Sequence, residues 1–397
     1  MNATPDYPVF DADNHYYEAL DAFTRHLDPK LGRRTVQWCE IEGRKYHVVG
    51  GRVSHAVTNP TFTPIAKPGA LHAYLKGDSD GRSALELMRD REPIPDYYRQ
   101  PEARVEKMDE QGLDSTWLFP TLGVLYEELL SHDIEALKLT FRSFNRWLDE
   151  DWGFAFRNRI YASPYISLCD VDFAVTELEW ALERGARNVV MRPAAAFTAG
   201  GPLSPGDPHF DPFWARVNEA GIAVIVHAGD SGYSCNGYAP DGFRAEFGSD
   251  GVMRRPSVKA WNIERAALDF LAQMIFDRVF ERFPHVRIAS IENGSEFLPD
   301  LFRKLGSLGK KMTHYFDDDP RETFREHVWI SPFWEDDVVE VVELMGADRV
   351  VFGSDWPHIE GLPQPLDYLD EIASFDATTQ KKIMSGNALA LNELRPA

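Results

Sequence analysis

Residues 8–15 read Pro8-Val9-Phe10-Asp11-Ala12-Asp13-Asn14-His15, a short apolar run that ends in carboxylates and an imidazole. Such a run suits a strand buried on both faces, and the polar residues directly after it then stand at the strand's carboxyl end. Three more runs end in the same way. His227 follows Ile222-Ala223-Val224-Ile225-Val226, Glu292 follows Val286-Arg287-Ile288-Ala289-Ser290-Ile291, and Gly353-Ser354-Asp355-Trp356-Pro357-His358 follows Val350-Val351-Phe352. Groups so far apart in the chain converge only if their strands lie side by side, and a closed parallel barrel gathers its strand ends on one face.

Working outward, candidate strands fall at 8–12, 115–119, 161–168, 187–191, 222–226, 286–291, 327–330 and 349–352, the eight that close a barrel. Helical apolar spacing lies between them, as at 132–152, 172–184, 211–220 and 260–283, and Gly185 and Gly221 follow two of these segments as left-handed caps. The expected architecture is α/β, a (β/α)8 TIM barrel with an insertion after strand 1 and a long loop after strand 5. It forms one domain over residues 1–397, closed by the helical segment 383–388. The insertion, 28–100, contains a hairpin pattern, 36–41 and 45–49 around Glu42-Gly43, and the loop 229–258 is rich in Gly, Ser and Asp. Both leave the face that carries the strand ends, as an insertion subdomain, lid or pocket wall, or as oligomer contacts.

The composition is that of an ordinary globular protein, with 44% hydrophobic and 26% charged residues among 397. A formal charge of −21 repels phosphate backbones and acidic membranes, which excludes nucleic acid as an expected partner. Cys39, Cys169 and Cys235 form no CxxC pair or disulfide framework, and no apolar run approaches bilayer length, so the expected location is the cytoplasm and no membrane contact is expected.

Asp13 and His15, two residues apart, share one side of an extended strand and can reach one ion. Taken singly, each candidate has a bland reading: a surface Asp with a backbone-bound His, a core imidazole for His227, a helix cap for Asp355. Their common position at strand carboxyl ends favours a metal site formed by Asp13, His15, His227 and Asp355, with Glu292 and His358 as further donors. Asp355, Glu292 and His358 are also the candidate acids and bases. Many oxygen donors and no thiolate suit Mn or Fe, and imidazole with carboxylate suits Zn as well. One divalent transition metal ion per chain is favoured, with a dinuclear Fe/Mn centre as the alternative.

Arg192, after the fourth strand, has two readings, a bidentate grip on a substrate carboxylate or an internal pair with Glu292 or Asp230. Arg52 and His55 in the insertion, and Trp334 after the seventh strand, are candidate pocket-wall residues; Trp334 could equally be core. Glu18 suits the start of the first helix.

These motifs resemble those of the amidohydrolase superfamily, in the amidohydrolase-related branch that contains aminocarboxymuconate-semialdehyde decarboxylase and the carboxyvanillate and γ-resorcylate decarboxylases. The resemblance implies strand-one ligands at Asp13 and His15, a strand-five ligand at His227 and a strand-eight Asp at Asp355. It also implies self-association, by default a homodimer, with a hetero-oligomer of related barrels as the alternative. The chain departs from the pattern twice: strand six ends in Ile291-Glu292-Asn293-Gly294 in place of a His motif, and strand four, 188–193, has no Lys for carboxylation. The expected function is a metal-dependent enzyme acting on a small organic acid by non-oxidative decarboxylation or hydrolysis. The alternatives are a dinuclear iron or manganese oxygen-activating hydroxylase of a small carboxylate and a non-catalytic barrel subunit.

Overall fold

The computed structural model describes residues 5–54, 57, 59–230 and 262–397. The first strand is made of Phe10–Asp11 and His15–Tyr16, both parallel to the second strand, Ser115–Pro120. Asp11 pairs with Thr116 and His15 with Phe119, so four steps of the first strand match three of the second, and the extra residue is a bulge at the Asp13 motif.

From there the ladder runs once around. The second strand pairs with Ile160–Ala162, and a bridge from Tyr165 to Val190 reaches the fourth strand, Asn188–Met191. Ala223–His227, Arg287–Ile291 and Val328–Ile330 follow in parallel register. Ile330 bridges to Val350, and the Ala12 amide donates to the Phe352 carbonyl at 2.8 Å, which returns the ladder to the first strand. The eight-stranded barrel is closed. Val224, Ile225, Val226, Ile288, Val350, Val351 and Phe352 are all fully buried, as a packed parallel barrel covered by helices requires.

Three local expectations change. The third strand stops at Ala162, because Pro164 has no amide hydrogen to continue the ladder. The eighth has only its bridge and flanking bonds; it is pinned by the Phe352 amide on the Ile383 carbonyl at 3.0 Å and by Asn387 Nδ2 on the Val350 carbonyl at 2.7 Å. The long helix expected over 260–283 is two, Asn262–Phe276 and Val279–Arg282, separated by Arg278 in the left-handed region with φ 54°. Asp211–Ala220 ends as expected on Gly221 at φ 59°, where a Cβ would lie 1.8 Å from the Arg395 carbonyl oxygen.

Between the first and second strands the chain forms an antiparallel hairpin, Val36–Ile41 with Arg44–Val49, around Glu42 and Gly43, both at positive φ as a type I′ turn demands. Arg52–Val53 extends it, and Ile65–Ala66 pairs with Arg91–Glu92. This segment rests on the loops after the first, second and eighth strands. The Trp38 indole donates to the Leu20 carbonyl at 2.7 Å, His47 Nδ1 meets the Tyr126 hydroxyl at 2.7 Å, and the Gly69 amide donates to the His358 carbonyl at 2.9 Å. It thus stands over the barrel face that carries the candidate ligands. His55 and nearly all of the 229–258 loop lie outside the described residues. Among the described residues no helix is long and apolar enough to cross a membrane.

Candidate metal centre

The strand ends bring five donor atoms together. His15 Nε2 lies 3.4 Å from Asp13 Oδ1, 3.3 Å from Glu292 Oε2 and 3.4 Å from Asp355 Oδ1. His227 Nε2 lies 3.5 Å from Asp13 Oδ1 and 3.2 Å from Glu292 Oε2. Atoms that bind one ion at roughly 2.0–2.2 Å from adjacent coordination positions lie about this far apart. Asp13 Oδ1, His15 Nε2 and His227 Nε2 are buried with no hydrogen-bond partner, an arrangement that is costly unless one cation satisfies all three. The donors are imidazole nitrogens and carboxylate oxygens, a set suited to a divalent transition metal. They form two overlapping groups, Asp13, His15, His227 and Glu292, and His15, Glu292, Asp355 and His358.

Hydrogen bonds aim these groups. His227 Nδ1 donates to the Ala228 carbonyl at 2.8 Å, which leaves the Nε2 lone pair facing the cluster. Asp11 ties the first ligand loop to the last: its carboxylate accepts from the Ser354 amide at 3.0 Å and hydroxyl at 2.6 Å, from Asn14 Nδ2 at 2.8 Å and from the Asp13 amide at 3.1 Å. Arg104, buried on the helix Pro101–Gln111, donates to Asn14 Oδ1, the His15 carbonyl and, at 3.1 Å, the Tyr97 carbonyl, while lying 4.4 Å over the Trp356 ring. Sequence reasoning missed Asp11, Asn14, Arg104 and Ser354 as site residues. The signal for Asp11 was its place in the same Asp-Ala-Asp-Asn-His run.

Backbone strain collects here as well. Glu292 and Asp355 hold left-handed conformations, φ 56° and 54°, which cost non-glycine residues roughly 1–3 kcal/mol each and recur at functional sites. Gly353 permits the close approach of the two ligand loops, since a Cβ there would lie 2.5 Å from Asp13 Cβ and 2.6 Å from Ser331 Oγ. Gly353→Ala is therefore expected to cost about 1–3 kcal/mol in denaturant unfolding and to weaken metal retention by displacing Asp13.

Burial pushes Asp13 up, but the two imidazoles that face it, His15 at 3.4 Å and His227 at 3.5 Å, outweigh burial and hold the carboxyl at about 2. Burial lowers His15 to about 4, helped by His358, so its imidazole is neutral and free to ligate. Burial raises Glu292 to about 7, opposed by His227 and reinforced by Asp13. Burial raises Asp355 well above the carboxylate range, with Glu292, Glu360 and Asp13 adding repulsion. Asp11 is raised by burial to about 7, even with its hydrogen bonds.

The sign of the pH dependence follows. Between the unfolded carboxylate range near 4 and about 7, the native state holds extra protons on Glu292, Asp11 and Asp355, which outnumber the one that His15, lowered to about 4, gives up on folding, so the site's contribution to stability falls as pH rises. Asp13, shifted the other way, acts only below that window. In chelator the protein is expected to melt at a higher temperature near about pH 5.5 than near about pH 8, and manganese should bind more tightly as pH rises through about 7, because the ion displaces those protons. Melting curves and calorimetric titration check both.

The other candidates are placed as follows. His358 Nδ1 lies 2.6 Å from Asp355 Oδ1, and its ring packs on His15 with centroids 3.9 Å apart. Of the two readings of Arg192, the structure displays the internal one: Nη1 binds Asp230 Oδ1 at 2.6 Å, Nε lies 3.3 Å from Glu127 Oε2, and Nη2 donates to the Ala195 carbonyl at 2.6 Å. Arg52 is exposed and donates to the Leu129 carbonyl at 3.2 Å; it is not brought to the donor cluster. Trp334 is buried, its ring centroid 4.5 Å from that of His72 of the insertion with the two planes tilted by 37°, and it donates to the Glu360 carbonyl at 3.1 Å. Glu18 accepts the Leu122 and Gly123 amides at 2.7 and 3.0 Å and so holds the loop after the second strand.

Comparison with known proteins agrees with this geometry. The family model described as Amidohydrolase matches residues 93–391. An amidohydrolase crystal structure from Mycobacterium avium subsp. paratuberculosis is 41% identical, with 98% of this chain and 99% of that one covered and a TM-score of 0.91. The 2-amino-3-carboxymuconate-6-semialdehyde decarboxylase of Dictyostelium discoideum is 27% identical over 213 residues, 48% of this chain, and the match spans half the length of that relative. A dihydroxybenzoic acid decarboxylase from a Polaromonas species, solved with manganese and an inhibitor, shares the fold at 19% identity, with 81% and 93% covered and a TM-score of 0.57. The chain belongs to the amidohydrolase superfamily, in its amidohydrolase-related branch.

Proposed function

We propose that the protein is a metal-dependent enzyme acting on a small organic acid, by non-oxidative decarboxylation in preference to hydrolysis. The observation that carries this is the meeting of Asp13, His15 and His227 with three buried donor atoms left unpartnered. Asp13, His15, His227 and Asp355 would hold the ion, with Glu292 as a further donor, and manganese is the first metal to test because a structural neighbour contains it. When bound, the ion supplies stabilisation of negative charge developing on substrate oxygen.

Decarboxylation is preferred for two reasons. The curated relative is a decarboxylase, and strand four offers no Lys for the bridge that many dinuclear hydrolases of the superfamily need. In this reading the bond to the carboxylate breaks, its electron pair stays on the substrate carbon, carbon dioxide leaves, and His358, held against Asp355, delivers a proton to that carbon. In hydrolysis Asp355 would instead take a proton from water. With Arg192 engaged by Asp230 and Glu127, the site wall in this reading is Trp334 and the insertion segment whose His72 packs against it.

One observation favours a second reading, a dinuclear oxygen-activating centre: the second donor group, with Asp355 and His358, overlaps the first through His15 and Glu292. A panel of small aromatic and unsaturated carboxylates separates the two. Carbon dioxide release that stops on chelation and consumes no oxygen is expected; substrate-dependent oxygen uptake with two irons per chain would replace the first reading by the second.

A further inference from the structure

Arg192, Asp230 and Glu127 are buried together, one guanidinium between two carboxylates that come from different loops. Arg192 directly follows the fourth strand, Asp230 lies three residues beyond His227, and Glu127 opens the short helix Glu127–Leu130 after the second strand. The guanidinium has little freedom: Nη2 donates to the Ala195 carbonyl at 2.6 Å, and its carbon lies 4.1 Å over the Phe197 ring. Glu127 is held as firmly, accepting from the Tyr165 hydroxyl at 2.6 Å and the Ser167 hydroxyl at 2.7 Å. Asp230 completes the tie. Its Oδ1 accepts from Arg192 at 2.6 Å, its Oδ2 accepts from the Glu128 amide at 2.7 Å, and its own amide donates to the Val124 carbonyl at 2.9 Å.

Only Ala228 and Gly229 stand between Asp230 and His227. The Ala228 carbonyl takes the hydrogen bond from His227 Nδ1 at 2.8 Å, so the place of that carbonyl sets the tilt of the ring. Strand six holds Ala228 on one side, through its amide on the Ile291 carbonyl at 3.1 Å, and Asp230 holds the loop on the other. Replacing a buried ion pair by apolar side chains often costs no stability, but apolar contacts slide where a planar fork does not. We propose that Asp230 is a positioning residue: locked by Arg192 and the Glu128 amide, it fixes the Ala228 carbonyl and, through it, the aim of His227 Nε2 into the donor cluster. Glu127 acts one step further out, by fixing the guanidinium from its other side.

The inference rests on the reading of His227 as a metal ligand, and part of its test needs no metal. In the metal-free protein, amide hydrogen exchange at Ala228, Asp230 and Glu128 is expected to be as slow as at Val224, Ile225 and Val226 in the adjoining strand. Asp230→Asn is expected to speed exchange at residues 228, 230 and 128, to leave the strand as it was, and to weaken manganese binding about tenfold with an unchanged circular dichroism spectrum. Glu127→Gln should show the same change confined to the loop. Fast exchange at Asp230 in wild type overturns the inference whether or not the variants fold. So does acceleration that reaches the strand to the same extent, the mark of a merely stabilising ion pair, and so does wild-type manganese affinity in Asp230→Asn. Wild-type protein that binds no manganese instead removes the metal reading, and the exchange pattern still decides whether Asp230 fastens the loop.

Discussion

Replacing His227 with Ala is expected to weaken binding of the divalent ion by more than about 100-fold, since even the groups that merely orient metal ligands are worth roughly 10–100-fold. His227 closes a buried strand, its Nδ1 is committed to the Ala228 carbonyl, and its Nε2 faces Asp13 and Glu292 with no hydrogen-bond partner of its own. Alanine removes one donor and leaves the two carboxylates without the imidazole that separates them. The fold should survive, because the strand's neighbours Val224, Ile225 and Val226 still fill the barrel. Circular dichroism matching wild type, together with lost manganese affinity by calorimetry, is the expected pair of results. Unchanged affinity would remove His227 from the site.

Glu292→Gln is expected to act in two opposite directions. The amide keeps the side chain's size but removes the charge that an ion would neutralise, so metal affinity should fall by at least about tenfold. The metal-free variant, however, should melt higher than metal-free wild type above pH 7, because burial and Asp13 disfavour the ionised carboxylate there and glutamine carries no such charge. A purely structural Glu292 would yield lower stability with unchanged metal binding. If metal content and turnover were both unaltered, neither ligation nor proton transfer by Glu292 could stand.

Much of this site was legible in the chain because the candidate ligands and the strands share one signature. Asp13, His15, His227, Glu292 and Asp355 each follow a run whose burial is dictated by its composition, and a closed ladder then puts all the run ends on one face. The hairpin at Glu42-Gly43 was legible for a similar reason, since few residue pairs accept positive φ in succession. What escaped was cross-element bonding. Asp11, Arg104 and Ser354 act through partners remote in sequence, and no periodicity marks such a residue. Arg192 left two readings open because a guanidinium's partner is decided by which loops fold beside it, here those carrying Glu127 and Asp230. The break at Arg278 was hidden for a different reason: Val279 and Phe280 continue the apolar pattern across it and are both buried.

The central claim is that one cation joins Asp13, His15, His227 and Asp355 at the mouth of the barrel. Elemental analysis of protein purified without oxygen tests it most directly. About one transition metal ion per chain, retained through gel filtration, is the expected result. A protein that holds no ion even after exposure to manganese, iron and zinc would contradict it.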